Sequence, residues 1–150
     1  MIKIERTDRK NKDFVGLTHL LDAELNSRYG IFQSEYDKYN IIDSIDSVVL
    51  GYKDGKLGGC GCFKIFSVDT VEIKRMIVKS EYRGSGLAGV ILTELENWAV
   101  ERGFAKSILE TGVKQPEAIR FYNKRGYQRI SNYGQYIGNA NSVCMSKDLK

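Results

Sequence analysis

The chain has 150 residues, a formal net charge of +4, 42% hydrophobic residues and 28% charged residues. This balance is typical of a soluble globular protein, and the length suits one domain, residues 1–150, around one hydrophobic core. No stretch approaches the roughly 18 apolar residues of a membrane span, which argues against a membrane protein. Lys and Arg are scattered rather than gathered into a basic arm, which argues against nucleic-acid binding.

The cysteine count and the first residues predict a cytoplasmic protein without a metal site. Cys60, Cys62 and Cys144 are an odd number of thiols, and the charged start of the chain has no signal-peptide core. Cys60 and Cys62 are too close for a zinc knuckle, so we expect buried structural thiols. The single histidine, His19, lies on a predicted helix. A Cys-His nucleophilic pair would have to use this one histidine, which argues against such a pair.

The first half of the chain predicts two helices and an antiparallel meander. Residues 2–6 alternate as a strand, residues 11–26 carry leucines at helical spacing, and residues 31–39 form a shorter helical or irregular piece. Strands follow at 47–52, 57–66 and 70–78. The Asp54-Gly55 pair predicts a two-residue hairpin between the first two of these strands. The glycines at 58, 59 and 61 indicate a bulge or a close backbone approach.

The second half alternates strands and helices. Helices are predicted from residue 87 to about 102, ending at Gly103, and at 115–125, ending at Gly126. Strands are predicted at 105–110, 127–131 and 142–147, with a loop at 133–141. An antiparallel front followed by β-α-β-α-β predicts an α/β (α+β) fold with a mixed sheet and helices packed on it.

The loop before the first of these helices is the strongest indication of function. In Arg83-Gly-Ser-Gly-Leu-Ala-Gly89 the glycines remove side chains, so that backbone N–H groups and the helix N-terminus can converge on an anion. Arg83 adds a full positive charge. This arrangement suits a pyrophosphate, and the mildly basic chain would favour such a phosphorylated cofactor.

The same residues satisfy the GxGxxG pattern of dinucleotide-binding folds, and Glu110 lies near the position of the ribose-binding acid. However, residues 79–83 separate the strand from the first glycine, and too few residues remain for a doubly wound sheet. A purely structural glycine turn is a further alternative.

Two motifs together resemble the GNAT superfamily of N-acetyltransferases, and the runs 72–76 and 142–149 resemble its small bacterial members. Arg83-Gly-Ser-Gly-Leu-Ala88 is similar to the R/Q-x-x-G-x-G/A loop, and Ala118-Ile-Arg-Phe-Tyr-Asn-Lys-Arg-Gly-Tyr127 to A-x-x-[LF]-Y-x-x-x-G-[FY]. The resemblance is clearest from about residue 47 onward. It implies a GNAT-like, largely antiparallel mixed sheet of about seven strands flanked by four helices.

The resemblance implies acetyl-CoA as acyl donor, without a metal. The loop from Arg83 through Gly84, Ser85, Gly86 and Leu87 to Ala88 would grip the pyrophosphate. The strand at Met76, Ile77 and Val78 would pair through its backbone with the pantetheine arm, as an added strand does. Gln115 replaces the asparagine that often contacts pantetheine in this family.

The resemblance also implies catalytic roles. Tyr122 matches the general acid beside the coenzyme sulfur, and its alternative role is an aromatic at the edge of the core. Glu72 occupies a strand where many members carry a catalytic glutamate, although it can equally be an ordinary ion-paired carboxylate. Glu110 is the second candidate for the base, and His19 is distant from every motif.

The acceptor is expected between the N-terminal helices and the last strands. Arg28, Tyr29, Tyr133 and Tyr136 are the main candidates, Tyr36 is a further one, and Asp22 and Glu24 lie nearby in the sequence. Aromatic side chains there can hold a cationic amine, and Arg28 can pair a carboxylate. We therefore expect transfer of an acetyl group to a primary amine of a small molecule or amino acid. Modification of protein lysines or N-termini, and a non-catalytic CoA-binding module, are the alternatives. The sequence leaves open a homodimer.

Overall fold

The structure, a computed structural model, describes residues 1–29 and 45–150, with the side chains of residue 21 and residues 23–29 left outside this description. Its strands are β1 (Ile2–Thr7), β2 (Ser47–Lys53), β3 (Lys56–Ser67), β4 (Thr70–Val78), β5 (Lys106–Gly112), β6 (Gln128–Ile130) and β7 (Ser142–Asp148). Its α-helices in these ranges are α1 (Lys12–Tyr29), α2 (Leu87–Glu101) and α3 (Pro116–Lys124).

The seven strands form one sheet in the order β1-β2-β3-β4-β5-β7-β6. Every neighbouring pair is antiparallel except β4 and β5, which run parallel. The prediction of a largely antiparallel mixed sheet of about seven strands is confirmed. A doubly wound dinucleotide-binding fold would need a mostly parallel sheet, so the GxGxxG match does not indicate that fold.

Predicted and observed elements agree to within three residues at each end. The structure has three α-helices in the residues that it describes, against four predicted, and the predicted helical piece at 31–39 lies outside those residues. The predicted loop at 133–141 contains a short 3₁₀ turn at Gly134–Tyr136. In the described part of the chain, no helix is long and apolar enough to cross a membrane.

The core has one part on each face of the sheet. On one face, α2 packs through Ile91 and Leu95 onto β2, β3 and β4, and the largest cluster of buried apolar side chains lies there. On the other face, Phe14 and Leu17 of α1 pack against β2 and β3 in a second cluster. Cys60, Cys62 and Cys144 are fully buried, as expected of structural thiols.

The glycines of β2 and β3 allow α2 to pack close to the sheet. A Cβ at Gly51 would lie 2.8 Å from Leu87 Cδ1, and a Cβ at Gly61 would overlap the Met76 thioether. The β3–β4 register also shifts at Gly61, where Arg75 adopts a φ of 57°. The predicted bulge and close approach are therefore both present, and the bulge bends β4 just before its final residues.

Candidate active site

The parallel strands β4 and β5 separate before either of them ends. Their pairing runs from Thr70–Lys106 to Ile73–Leu109, whereas β4 continues to Val78 and β5 to Gly112. The backbone of residues 74–78 therefore has no strand partner on the β5 side. Such an open edge presents N–H and C=O groups to any extended amide-containing ligand.

A cleft of about 440 Å³ lies beside this open edge. Its walls are the end of β4, the glycine-rich loop with the first turn of α2, and α3. It contains most of the predicted cofactor-binding residues: Met76, Ile77, Val78, Arg83, Gly84, Gly86, Leu87, Ala88, Gln115 and Tyr122. The remaining predicted residue, Ser85, lies in the loop but not on the cleft wall, and its hydroxyl faces the Leu87 N–H at 3.4 Å.

The loop backbone has the conformation that the anion-binding hypothesis requires. Gly84 and Gly86 have φ angles of 82° and 88°, values that non-glycine residues rarely adopt. A Cβ at either position would meet no atom within 4 Å, so the space above the loop is open. Because α2 begins at Leu87, the N–H groups of Ala88 and Gly89 have no carbonyl partner one turn earlier in the helix, at the end that borders this space.

Arg125 is a cleft residue that the sequence analysis missed. It follows α3 directly, and its guanidinium lies against Gly89 in the first turn of α2, where any Cβ would overlap it. The same guanidinium lies 5.5 Å from the ring centre of Phe121. The third glycine of the GxGxxG pattern, Gly89, could have indicated such a neighbour, because a glycine on a buried helix face makes room for another side chain. Tyr82 and Phe121 also line the cleft and were not predicted.

Tyr122 is buried in α3 and lines the cleft. Its ring packs edge-to-face against Phe121 and Tyr127, with centroids 5.2 Å and 5.6 Å away. Burial raises the pKa of its hydroxyl well above the ordinary value of 10, so it is protonated at neutral pH. The position and protonation state suit a proton donor to a leaving group in the cleft.

Gln115 precedes α3 and closes the end of β5. Its side-chain oxygen accepts hydrogen bonds from the Gly112 N–H at 3.1 Å and from the Thr111 hydroxyl at 3.3 Å. These bonds fix the side chain where it lines the cleft, and they use its oxygen rather than its amide nitrogen.

A buried polar cluster includes both predicted carboxylates. Glu72 is 2% exposed, and one of its oxygens accepts a 2.6 Å hydrogen bond from the Tyr133 hydroxyl. The other oxygen lies 3.7 Å from the Lys64 ammonium. Lys74 is also buried and donates to the Tyr136 hydroxyl at 3.3 Å. Burial lowers the pKa of Lys74, an effect that Glu72 and Glu110 oppose.

Glu110 is the first residue of β5 beyond the last parallel pair. It is half-buried, and one of its oxygens accepts a 2.6 Å hydrogen bond from the Ser142 hydroxyl. Burial raises its pKa from 4.5 to about 7, against the lowering effects of the Ser142 hydrogen bond and the Lys74 charge. A carboxyl group with this pKa can exchange a proton at neutral pH.

Two of the four predicted acceptor residues are brought together. The rings of Tyr133 and Tyr136 meet edge-to-face at 5.5 Å, next to Glu72 and Lys74. The side chains of Arg28 and Tyr29, like residue Tyr36, lie outside the described residues. Asp22 forms a salt bridge with the buried Arg75 side chain, which ties α1 to the bulge of β4.

The remaining candidates do not join the cleft. His19 is exposed on α1, and burial raises the pKa of the Cys60 thiol to about 12. Within residues 1–29 and 45–150, no three His, Cys, Asp or Glu side chains cluster as a metal site would require.

Comparison with known proteins finds acetyltransferases that are similar to this chain in sequence and in fold. The chain is 33% identical over 101 residues to an IAA acetyltransferase of Azospirillum brasilense, a match that covers 65% of this chain and 64% of that relative's length. The solved structure of a protein from Klebsiella pneumoniae, assigned to the acyl-CoA N-acyltransferases, superimposes with a TM-score of 0.84 at 26% identity, covering 100% and 99% of the two chains.

A PaiA N-acetyltransferase from Thermoplasma acidophilum, solved in complex with coenzyme A, shares the fold at 20% identity, with a TM-score of 0.73 over 99% of each chain. The model of the acetyltransferase (GNAT) family matches residues 15–127. This chain, with its split parallel strand pair and its glycine-rich loop, belongs to the GNAT acetyltransferase family.

Proposed function

We propose that this protein is an acetyl-CoA-dependent N-acetyltransferase that acetylates a primary amine of a small molecule or amino acid by direct attack. The observation that carries the proposal is the convergence, on one cleft, of an unpaired strand edge and a glycine-rich anion-binding loop. An elongated ligand with amide groups at one end and a pyrophosphate at the other would satisfy both. Coenzyme A has this composition, and the PaiA structure with the same fold holds it.

The cofactor would lie along the cleft with its pyrophosphate on the loop. The N–H groups around Gly84, Gly86 and Leu87 would donate to the phosphate oxygens, and Arg83 and Arg125 would add positive charge. The pantetheine amides would pair with the open edge of β4 at Met76 and Val78. The Gln115 amide nitrogen is a further donor for a pantetheine carbonyl.

Transfer would take place at the inner end of the cleft, beside Tyr122. The amine nitrogen attacks the carbonyl carbon of the thioester, and the carbon–sulfur bond then breaks. Tyr122 would protonate the departing thiolate, because its hydroxyl stays protonated at neutral pH. No covalent acetyl-enzyme is needed, since the buried thiols have raised pKa values and are poor nucleophiles.

The polar cluster on the other side of the split is the proposed acceptor site. Tyr133 and Tyr136 supply aromatic faces, and the half-buried carboxyl group of Glu110 supplies negative charge for an ammonium group. These groups are buried or half-buried, which favours a small acceptor over an extended protein tail. We propose that residues 1–150 act as one domain, because the strands on both sides of the cleft belong to one sheet.

Calorimetric titration with acetyl-CoA, and with NAD in a matched run, tests the cofactor. We expect micromolar binding of acetyl-CoA and none of NAD. Gly86→Glu should abolish binding, because its carboxylate would occupy the pyrophosphate position. Gly138→Glu is the matched control, since Gly138 has a similar φ of 80°, equally open space and a position away from the cleft. Binding of NAD, or equal binding by both variants, would refute the assignment.

A thiol-release assay with a panel of amines then tests turnover. Amino acids, small polyamines and amine-bearing antibiotics represent small acceptors, and lysine-containing peptides represent protein acceptors. CoA release with small amines supports the proposal. Release with peptides alone would indicate a protein-modifying enzyme, and binding without any release would indicate a CoA-binding module.

A further inference from the structure

We propose that Glu110 is the general base of the transfer reaction and that Glu72 is a positioning residue that holds Tyr133 in the acceptor site. This inference rests on the proposed function. It reverses the order in which the sequence ranks the two carboxylates, and it is carried by where each of them stands relative to the split between β4 and β5.

Glu110 lies at the point where β4 and β5 separate. The last parallel pair is Ile73–Leu109, so Glu110 is the first residue of β5 with no β4 partner opposite it. Leu109 belongs to the buried cluster beneath α2, and side chains alternate along a strand, so Glu110 points to the face that carries α1. An amine on that face would pass Glu110 as it approaches a thioester in the cleft.

Glu72 lies inside the paired segment, opposite Ile108. It is 2% exposed, and both of its oxygens face protein groups, the Tyr133 hydroxyl and the Lys64 ammonium. A substrate ammonium would have to displace one of these groups to reach it. The contact with Tyr133 instead fixes the start of the segment that also carries Tyr136, whose hydroxyl accepts from Lys74.

The surroundings of Glu110 suit a group that takes and releases a proton. Ser142 holds one carboxyl oxygen at 2.6 Å, while the other has no hydrogen-bond donor among the residues that the structure describes. Burial raises the pKa of Glu110 to about 7. The titratable, charged and polar groups that act on it or respond to it come from β4, β7 and the 3₁₀ turn: Glu72, Lys74, Ser142, Cys144 and Tyr136.

With Glu110 as the base and Tyr122 as the acid, every proton in the reaction is accounted for. The substrate ammonium gives its first proton to Glu110, which later releases it to solvent. The neutral amine attacks the thioester carbon, and the resulting intermediate collapses with loss of the thiolate. That thiolate takes the proton of Tyr122, and Tyr122 is restored by the second proton of the former ammonium. The products are the N-acetyl amine, CoA thiol and one proton.

The test compares pH profiles of CoA release, with acetyl-CoA and the best amine of the panel, for the wild type and three variants. We expect kcat of the wild type to fall as the pH is lowered through about 7, which gives the profile an acid limb. Glu110→Gln should lose that limb and roughly 10²- to 10³-fold in kcat. Glu72→Gln should keep the limb and lose less than about tenfold, because an amide oxygen still accepts from Tyr133. Ser142→Ala should move the limb to higher pH, since the Ser142 hydrogen bond lowers the pKa.

The opposite pattern, a limb lost in Glu72→Gln and kept in Glu110→Gln, would overturn the inference. Titration of ¹³C-labelled glutamate side chains by NMR tests it without any acceptor. A carboxyl signal with a midpoint near 7 that is missing in Glu110→Gln supports the inference, and a Glu110 midpoint near 4.5 overturns it. Failure of acetyl-CoA to bind would refute the proposed function instead, so the two failures are distinguishable.

Discussion

Replacing Glu110 by Gln should stabilise the protein at alkaline pH, and this provides a test of the site without any substrate. Burial raises the pKa of Glu110 from its ordinary value of 4.5 to about 7. A carboxyl group whose folded pKa is raised favours folding fully below the unfolded pKa, and that contribution is lost as pH rises through the folded pKa. The ionised group at pH 8 therefore opposes folding.

The size of this effect follows from the two pKa values. One decade in pKa corresponds to 1.36 kcal/mol, so the change from 4.5 to about 7 sets an upper limit of about 3 kcal/mol at pH 8. At pH 5 the folded group is almost fully protonated, and less than about 1 kcal/mol remains. Gln removes the charge, keeps the volume and still accepts the Ser142 hydrogen bond. Its advantage should therefore grow by about 2 kcal/mol from pH 5 to pH 8.

Urea denaturation of both proteins at pH 5, 6, 7 and 8 measures this difference. Glu72→Gln is the matched control, because it removes a carboxylate from the same cluster but leaves Glu110, the residue with the raised pKa, in place. We expect it to lower the free energy of unfolding, since it weakens the contacts with Tyr133 and Lys64. A Glu110→Gln advantage that does not change with pH would refute the reasoning, because the pKa of Glu110 would then be ordinary.

Three further predictions concern the cleft and the sheet. Tyr122→Phe should lower kcat by roughly 10²-fold and leave the Kd of acetyl-CoA unchanged in calorimetry, because the lost hydroxyl acts only on the leaving thiolate; unchanged turnover would contradict its role as the acid. Arg125→Gln should weaken acetyl-CoA binding by roughly tenfold, with a smaller loss at high salt, whereas equal affinity would remove Arg125 from the pyrophosphate site. Gly59→Ala should cost about 2 kcal/mol or more in urea denaturation, since its Cβ would lie 2.5 Å from the Ile77 carbonyl oxygen. Gly16→Ala, at an exposed position of α1, is its control and should add about 0.5–1 kcal/mol; equal stabilities would refute the close approach at Gly59.

Local patterns in the sequence were sufficient for most of the fold. The Asp54-Gly55 turn, the glycine stops after α2 and α3 and the alternation in the strands depend on neighbouring residues, and each was predicted close to its observed place. The resemblance to the GNAT family then supplied the largely antiparallel mixed sheet of about seven strands, which local propensity does not determine. The predicted helical piece at 31–39 stays a prediction.

The site was predicted less completely, because its chemistry depends on contacts between distant residues. The loop and Tyr122 lie within motifs, and the structure places both at the cleft. Arg125 reaches the loop only because α3 folds back against Gly89, which no local pattern indicates. Which of Glu72 and Glu110 is the better candidate for the general base depends on where the parallel pairing of β4 and β5 stops. This is a property of the sheet rather than of either strand.

One feature of the sheet accounts for both the open edge of β4 and the position of Glu110. At the bulge of β4 two residues, Arg75 and Met76, stand opposite Gly61, and Arg75 has a left-handed backbone that costs a non-glycine residue about 1 kcal/mol. The bulge increases the local twist, so that β4 turns away from β5 just after Ile73. The salt bridge from Asp22 to Arg75 holds this conformation from the α1 side. The bulge at Arg75 thus lies in the part of β4 whose edge is open to the proposed cofactor, and Glu110 lies where the pairing with β5 has ended, at the position that the proposed acceptor amine would reach.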